Sequence, residues 1–181
     1  MELSRNTLEN CQKGDRSAQH ALYLAYAPRM YGVCLRYFPN YDVAQDILQD
    51  GFIKVFENIK NFKFNGSLEG WIRRIIVNTA LEYHRKSNQH SNVQITDIKT
   101  PPLFEDIHDT DYHFLLSLVR ALPGQYRIVF NLYAIEGHSH SEIAQLLSIT
   151  ESTSKSNYSR AKGLLRKKLE LLKEMDYYDV L

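Results

Sequence analysis

Apolar residues recur at helical spacing along most of this chain. From Asp42 to Ile59 the positions Ala44, Leu48, Phe52, Val55, Phe56 and Ile59 share one face, and Asp42, Asp46, Gln49, Asp50 and Glu57 share the other, which predicts an amphipathic helix. Ser17 to Phe38 carries a similar pattern after a turn at Gly14 and Asp15, with Pro28 predicting a kink or a restart. Trp71, Ile72, Ile75, Ile76, Ala80 and Tyr83 predict a third helix beyond a polar loop, Asn61 to Ser67, that holds two aromatics, Phe62 and Phe64. In the second half, Tyr112 to Leu122 reads as helix and Pro123 interrupts it. Gln125 to Ile135 then resumes, with Ile128, Val129, Leu132 and Tyr133 inside.

The punctuation after Ile135 is the most specific feature. Gly137 suits the left-handed end of one helix, and Ser139 with Glu142 forms a capping box for the next. Ile143, Ala144 and Leu147 line one face of that helix. Only Ser148, Ile149 and Thr150 intervene before Thr150 caps another, so the connection is a tight turn. Along the last helix Tyr158, Ala161 and Leu165 form an inward face, and Lys155, Ser156, Asn157, Ser159, Arg160 and Lys162 are expected outside. This is the arrangement of a helix-turn-helix whose polar face suits phosphates and base edges.

Ser87 to Thr110 breaks the periodicity with Pro101, Pro102 and the acids Asp97, Glu105, Asp106 and Asp109, and no sustained apolar face. Structureless stretches of this length are uncommon inside one compact domain. The expected fold is therefore all-α, with two small helical domains, residues 1–90 and 111–181, joined by a flexible acidic linker over residues 91–110.

Charge sharpens the picture. The net charge is only +1, yet Lys155, Arg160, Lys162, Arg166, Lys167 and Lys168 fall in one run with no acidic residue. A second basic patch, Lys63, Arg73, Arg74, Arg85 and Lys86, is interleaved with Phe62, Phe64 and Trp71, the usual equipment for unstacked bases. At 44% hydrophobic residues, the chain can bury a core. The two cysteines, Cys11 and Cys34, lie in apolar helical patterns without metal or redox spacing, so reduced, inert thiols are expected. No apolar run approaches a membrane span and the N-terminus lacks a signal-peptide core, so the expected location is cytoplasmic.

These residues, taken in order, resemble the extracytoplasmic-function (ECF) sigma factors, the compact two-domain class of RNA polymerase specificity subunits. Asp42 to Phe56, Trp71 to Ala80, Tyr83, Arg85 and Lys86 resemble sigma region two. Leu122 and Pro123, Tyr126 and Arg127, Val129 and Phe130, Glu136 and Gly137, Ser139, Glu142 to Ala144, and Thr153 to Lys162 resemble region four. The resemblance implies that Asp42, Asp46, Gln49 and Asp50 dock on the clamp helices of the polymerase beta-prime subunit. It assigns Phe62, Lys63, Phe64, Asn65, Trp71, Arg74, Asn78, Glu82, Arg85 and Lys86 to the minus-ten element, the loop Phe62 to Ser67 capturing a flipped base. Glu82 stands where the family more often has Asp. Ser152, Thr153, Lys155, Ser156, Asn157, Ser159, Arg160 and Lys162 fall to the minus-thirty-five element, and the linker to a path through the polymerase toward its active centre and RNA exit.

Three departures carry expectations of their own. Ser148 occupies a turn position where the family usually has Gly, which predicts a strained or altered turn. Ser154 replaces a packed apolar residue, and Asn157 and Tyr158 replace a common Arg and Leu, which predicts an altered base preference.

The partners implied are core RNA polymerase, through its beta-prime clamp helices and beta flap, promoter DNA, and an anti-sigma factor, which family members often find at the membrane. The rival readings are a free-standing operator-binding dimer, which has no use for the stripe on the Asp42 helix, and an enzyme. Against an enzyme, His138 and His140 cannot share a helix face, and the chain has no HExxH, GxSxG or phosphate-binding Gly loop. No catalytic residue, metal or cofactor is expected.

Overall fold

In the computed structural model, which describes residues 3–90 and 110–178, every element among those residues is helical. The chain divides into two units whose boundary lies outside the described residues. The reading of residues 91–109 as linker falls outside them too.

The first unit holds α1 (Arg5–Gln12), α2 (Arg16–Tyr37), α3 (Tyr41–Asn58) with a closing 3-10 turn (Ile59–Asn61), and α4 (Leu68–His90). Each start has a chemical cause. Ser4, Asp15 and Asn40 accept from the backbone N–H groups of Thr7, Ala18 and Val43, satisfying donors that the first helical turn cannot. The core joins Leu22, Met30 and Tyr37 of α2 to Ile47, Phe52 and Val55 of α3 and Ile72, Ile76 and Leu81 of α4. Burial of each such side chain stabilises by about 1.5–3 kcal/mol. That explains why α2 continues through Pro28 rather than restarting there: buried Leu22 and Tyr26 before it, and Met30 and Val33 after it, fix both halves in one core.

Gly51 lies where α3 meets α4, its Cα opposite the Ile76 side chain, so close that a methyl group there would displace Ile76. At its far end α4 continues to His90, which places Ser87 to His90 in helix rather than in the linker.

The second unit holds α5 (Thr110–Arg120), α6 (Gly124–Phe130), which passes into a π-helical turn (Asn131–Ile135), α7 (His140–Leu147) and α8 (Glu151–Tyr178). Its core comprises Leu122, Ile128, Val129, Leu132, Ile143 and Ala161. The buried guanidinium of Arg127 donates to the carbonyls of Arg120 (3.0 Å) and Leu122 (2.8 Å), supplying partners at the end of α5. Burial pushes its pKa down to about 10. Tyr133, expected inside, is partly exposed because the π turn changes the angular register of the residues within it.

Candidate functional site

The second unit builds the helix-turn-helix as its sequence predicts. Gly137 adopts φ +76°, and Ser139 starts α7 with a reciprocal capping box. The Ser139 hydroxyl accepts from the Glu142 N–H (3.2 Å), while the Glu142 carboxylate accepts from the Ser139 N–H and O–H, each at 2.8 Å. Those bonds, the backbone one foremost, hold the Glu142 carboxyl below its usual range. Ser148 ends α7 in the left-handed region, at φ +54° and ψ +44°. For a residue with a Cβ this costs roughly 1–2 kcal/mol, so the expected strain in this turn is present. Thr150 then accepts from the Thr153 N–H at 3.1 Å and opens α8.

On α8 the residues Ser152, Lys155, Ser156, Ser159, Arg160 and Lys162 are exposed, and Thr153 is half-buried. Lys155 pairs with Glu151 at 2.6 Å, Arg160 donates to the Tyr126 hydroxyl at 3.3 Å, and the Lys162 ammonium lies 4.9 Å from the centre of the Tyr158 ring. Asn157 departs from expectation: it is 6% exposed, on the inward face, so it is not among the side chains this helix presents to a partner. Ser154 is fully buried, with its hydroxyl 2.9 Å from Nδ1 of His140. The polar residue in a packed position has thus acquired a polar partner from α7, in keeping with the cost of burying an unmatched hydroxyl. His140 also stacks on Tyr133 at 4.3 Å, and Tyr158 meets Tyr133 at 4.5 Å. Sequence reasoning missed this α6–α7–α8 junction. The available signal was the helical spacing of Ser154, Asn157, Tyr158, Ala161 and Leu165, which already described one face.

In the first unit the stripe Asp42, Asp46, Gln49 and Asp50 is exposed along α3. Ile53, one turn further on, is 50% exposed, and Leu24 on α2 is 60% exposed. Both border a groove of about 600 Å³ between α2 and α3, lined also by Tyr23, Pro28, Gln49 and Phe52. The polar stripe therefore continues into an open apolar one, and partner-binding surfaces often take that form. The spacing from Asp46, Gln49 and Asp50 already puts Ile53 on the polar face of α3, whereas the exposure of Leu24 is not marked in the sequence pattern.

The loop after α3 is shaped by three rings. Phe62 is 7% exposed, 5.6 Å from Phe64 and 5.5 Å from Trp71 between ring centres. It is the floor of the loop and offers no stacking face, which corrects its assignment as a DNA contact. Trp71 and Phe64 are half-buried, and Lys63 and Asn65 are exposed. Phe64 takes φ +57°, an outlier for a bulky side chain. Two side chains of α1, which sequence reasoning had not connected with the loop, reach it. The Gln12 amide donates to the carbonyls of Ile59 (3.0 Å) and Phe62 (2.9 Å), and the Arg5 guanidinium lies 5.0 Å from the Phe64 ring centre. Ser67 ends the loop by accepting from the Gly70 N–H at 3.2 Å. Beyond it α4 exposes Arg74, Asn78, Arg85 and Lys86, while Glu82 is tied to Lys54 of α3 at 2.6 Å.

Comparison with known proteins places both units. Residues 22–90 match the family described as Sigma-70 region 2, and residues 115–165 match that described as Sigma-70, region 4. The chain is 25% identical over 180 residues to the ECF RNA polymerase sigma-E factor of Haemophilus influenzae, covering 91% of this chain and 94% of that protein. It is 27% identical over 179 residues to the ECF RNA polymerase sigma factor SigW of Bacillus subtilis, covering 91% and 96%. The sigma factor RpoE of Bartonella quintana, solved in complex with the anti-sigma factor NepR, has a similar fold, with a TM-score of 0.54, 21% identity, and coverage of 83% of this chain and 96% of that one.

Proposed function

The chain belongs to the sigma-70 superfamily, in its ECF class, and from that membership we propose how its two units divide the work of promoter recognition. As an RNA polymerase sigma factor it directs transcription initiation. The observation that carries this is the presence of both sigma regions, in order, in one chain. A free-standing operator-binding dimer is not favoured, since it would leave the region-two unit without a task.

In this reading the exposed stripe Asp42, Asp46, Gln49 and Asp50, with Ile53 and the adjoining groove, docks on the polymerase clamp. Exposed acids next to open apolar surface support it, because such a surface combines steering with burial. The loop residues Lys63, Phe64 and Asn65, with Arg74, Asn78, Arg85 and Lys86 of α4, engage the minus-ten element. Capturing an unstacked base there offsets an unstacking cost of a few kcal/mol. Ser152, Thr153, Lys155, Ser156, Ser159, Arg160 and Lys162 of α8 engage the minus-thirty-five element in the major groove. Glu151 both accepts from Lys155 and lies in the first turn of the helix, so it enters the same surface.

Catalysis belongs to the polymerase, and this chain contributes none of its own. Among the described residues no helix is long and apolar enough to cross a membrane, and the proposed place of action is the cytoplasm. The Bartonella relative was solved with an anti-sigma factor, and a protein of that kind is the regulator we infer.

A gel-shift with promoter DNA, run with and without core polymerase, tests the proposal. A specific complex that forms efficiently only when polymerase is present supports it. Tight, specific binding by the chain alone, as a symmetric dimer, contradicts it.

A further inference from the structure

Helix α1 lies outside the matched region-two segment, which begins at residue 22, yet two of its side chains reach the loop proposed to receive the flipped base. The Gln12 amide uses both of its N–H groups on the loop's entrance, one to the Ile59 carbonyl and one to the Phe62 carbonyl, the latter fifty residues along the chain. Ile59 O also accepts from the Phe62 N–H at 3.1 Å, so Gln12 completes a closed turn at the point where the chain leaves the α3 segment. Arg5, seven residues earlier and two helical turns away, sets its guanidinium over the ring of Phe64. A Phe at φ +57° persists only where its surroundings impose that conformation. Below it Phe62 is packed on Trp71, and beside it α1 supplies the contacts that the loop's own sequence lacks.

We propose that α1 is a brace that holds the base-capturing loop in its binding conformation before DNA arrives, with Gln12 as the positioning residue and Arg5 as a second support at Phe64. The inference rests on the assignment of this loop to the minus-ten element. Pre-organisation of this kind improves binding by sparing the loop the ordering that would otherwise accompany capture. It acts on the captured base alone, because neither the α3 stripe nor the helix-turn-helix depends on where Phe64 points.

The test uses the full chain assembled with core polymerase and a labelled single-stranded oligonucleotide carrying the non-template minus-ten sequence of a promoter mapped for this factor. A scrambled oligonucleotide is the control. Gln12→Met keeps the length and helix propensity but removes both donors, and Gln12→Lys restores donors. Loss of hydrogen bonds that fix a binding loop should weaken oligonucleotide affinity by about tenfold in Gln12→Met. Gln12→Lys should recover most of it, and Arg5→Ala should weaken it to a smaller degree. Core-polymerase affinity and binding to the duplex upstream element should stay at wild-type levels in all three.

Equal oligonucleotide affinity for wild type and Gln12→Met overturns the brace while leaving the loop assignment standing. Loss of polymerase affinity in parallel with oligonucleotide affinity also overturns it, since Gln12 would then serve general folding. If the wild-type holoenzyme does not distinguish the minus-ten oligonucleotide from the scrambled one, the loop assignment itself is wrong and the brace falls with it.

Discussion

Ser148 shows how one residue can carry a cost that the fold absorbs. Its backbone sits at φ +54° between α7 and α8, where a Cβ crowds the following carbonyl. Ser148→Gly removes that crowding. We expect the second unit to gain stability by up to about 1 kcal/mol, after allowing for glycine's greater freedom in the unfolded chain, read as a rise in its thermal midpoint. Glu142 makes the opposite kind of contribution. Its folded pKa is lowered by the Ser139 bonds, so its stabilisation is fully present above the unfolded value of 4.5 and is lost as pH falls through the folded value. Glu142→Gln should therefore be less stable than wild type at neutral pH, with the difference shrinking below pH 4.5 in paired denaturation curves. At this scale the caps were legible because capping depends on residues three apart. Asn157 was misjudged because a polar side chain on a basic helix reads as solvated. The inward place of Ser154 was legible from its spacing, but its partner on α7, fourteen residues away, was not.

Helix α3 joins three demands on one element. One face packs Ala44, Ile47, Phe52 and Val55, Gly51 lets α4 come close, and the remaining face presents Asp42, Asp46, Gln49, Asp50 and then Ile53. Exposed charges contribute little to folding. Asp46→Lys combined with Asp50→Lys should thus leave the circular dichroism spectrum unchanged while abolishing capture by immobilised core polymerase. A folded double mutant captured at the wild-type level would remove this face from the interface. The amphipathic pattern made the helix and both faces legible in advance. Gly51 and the continuity of α2 at Pro28 were not legible, because each is decided by neighbours distant in sequence that override a local preference. The same holds for α1 and the loop, whose contact spans forty-seven and fifty residues.

Across the molecule, a net charge of +1 conceals a division of labour: acids along α3, a basic face on α4, and a basic run through α8. The division into two helical units could be read from the break in periodicity after α4, and both units match sigma regions. In the proposed reading such a chain couples polymerase to two DNA elements, and neither unit alone should specify a start site. The most direct measurement is transcription of fragmented genomic DNA by core polymerase, with and without this chain, followed by sequencing of RNA 5′ ends. The account predicts a set of start sites that depend on the chain and share two upstream motifs at near-constant spacing, around the minus-ten and minus-thirty-five positions. Start sites that do not change when the chain is added, or that share no such pair of motifs, would contradict it.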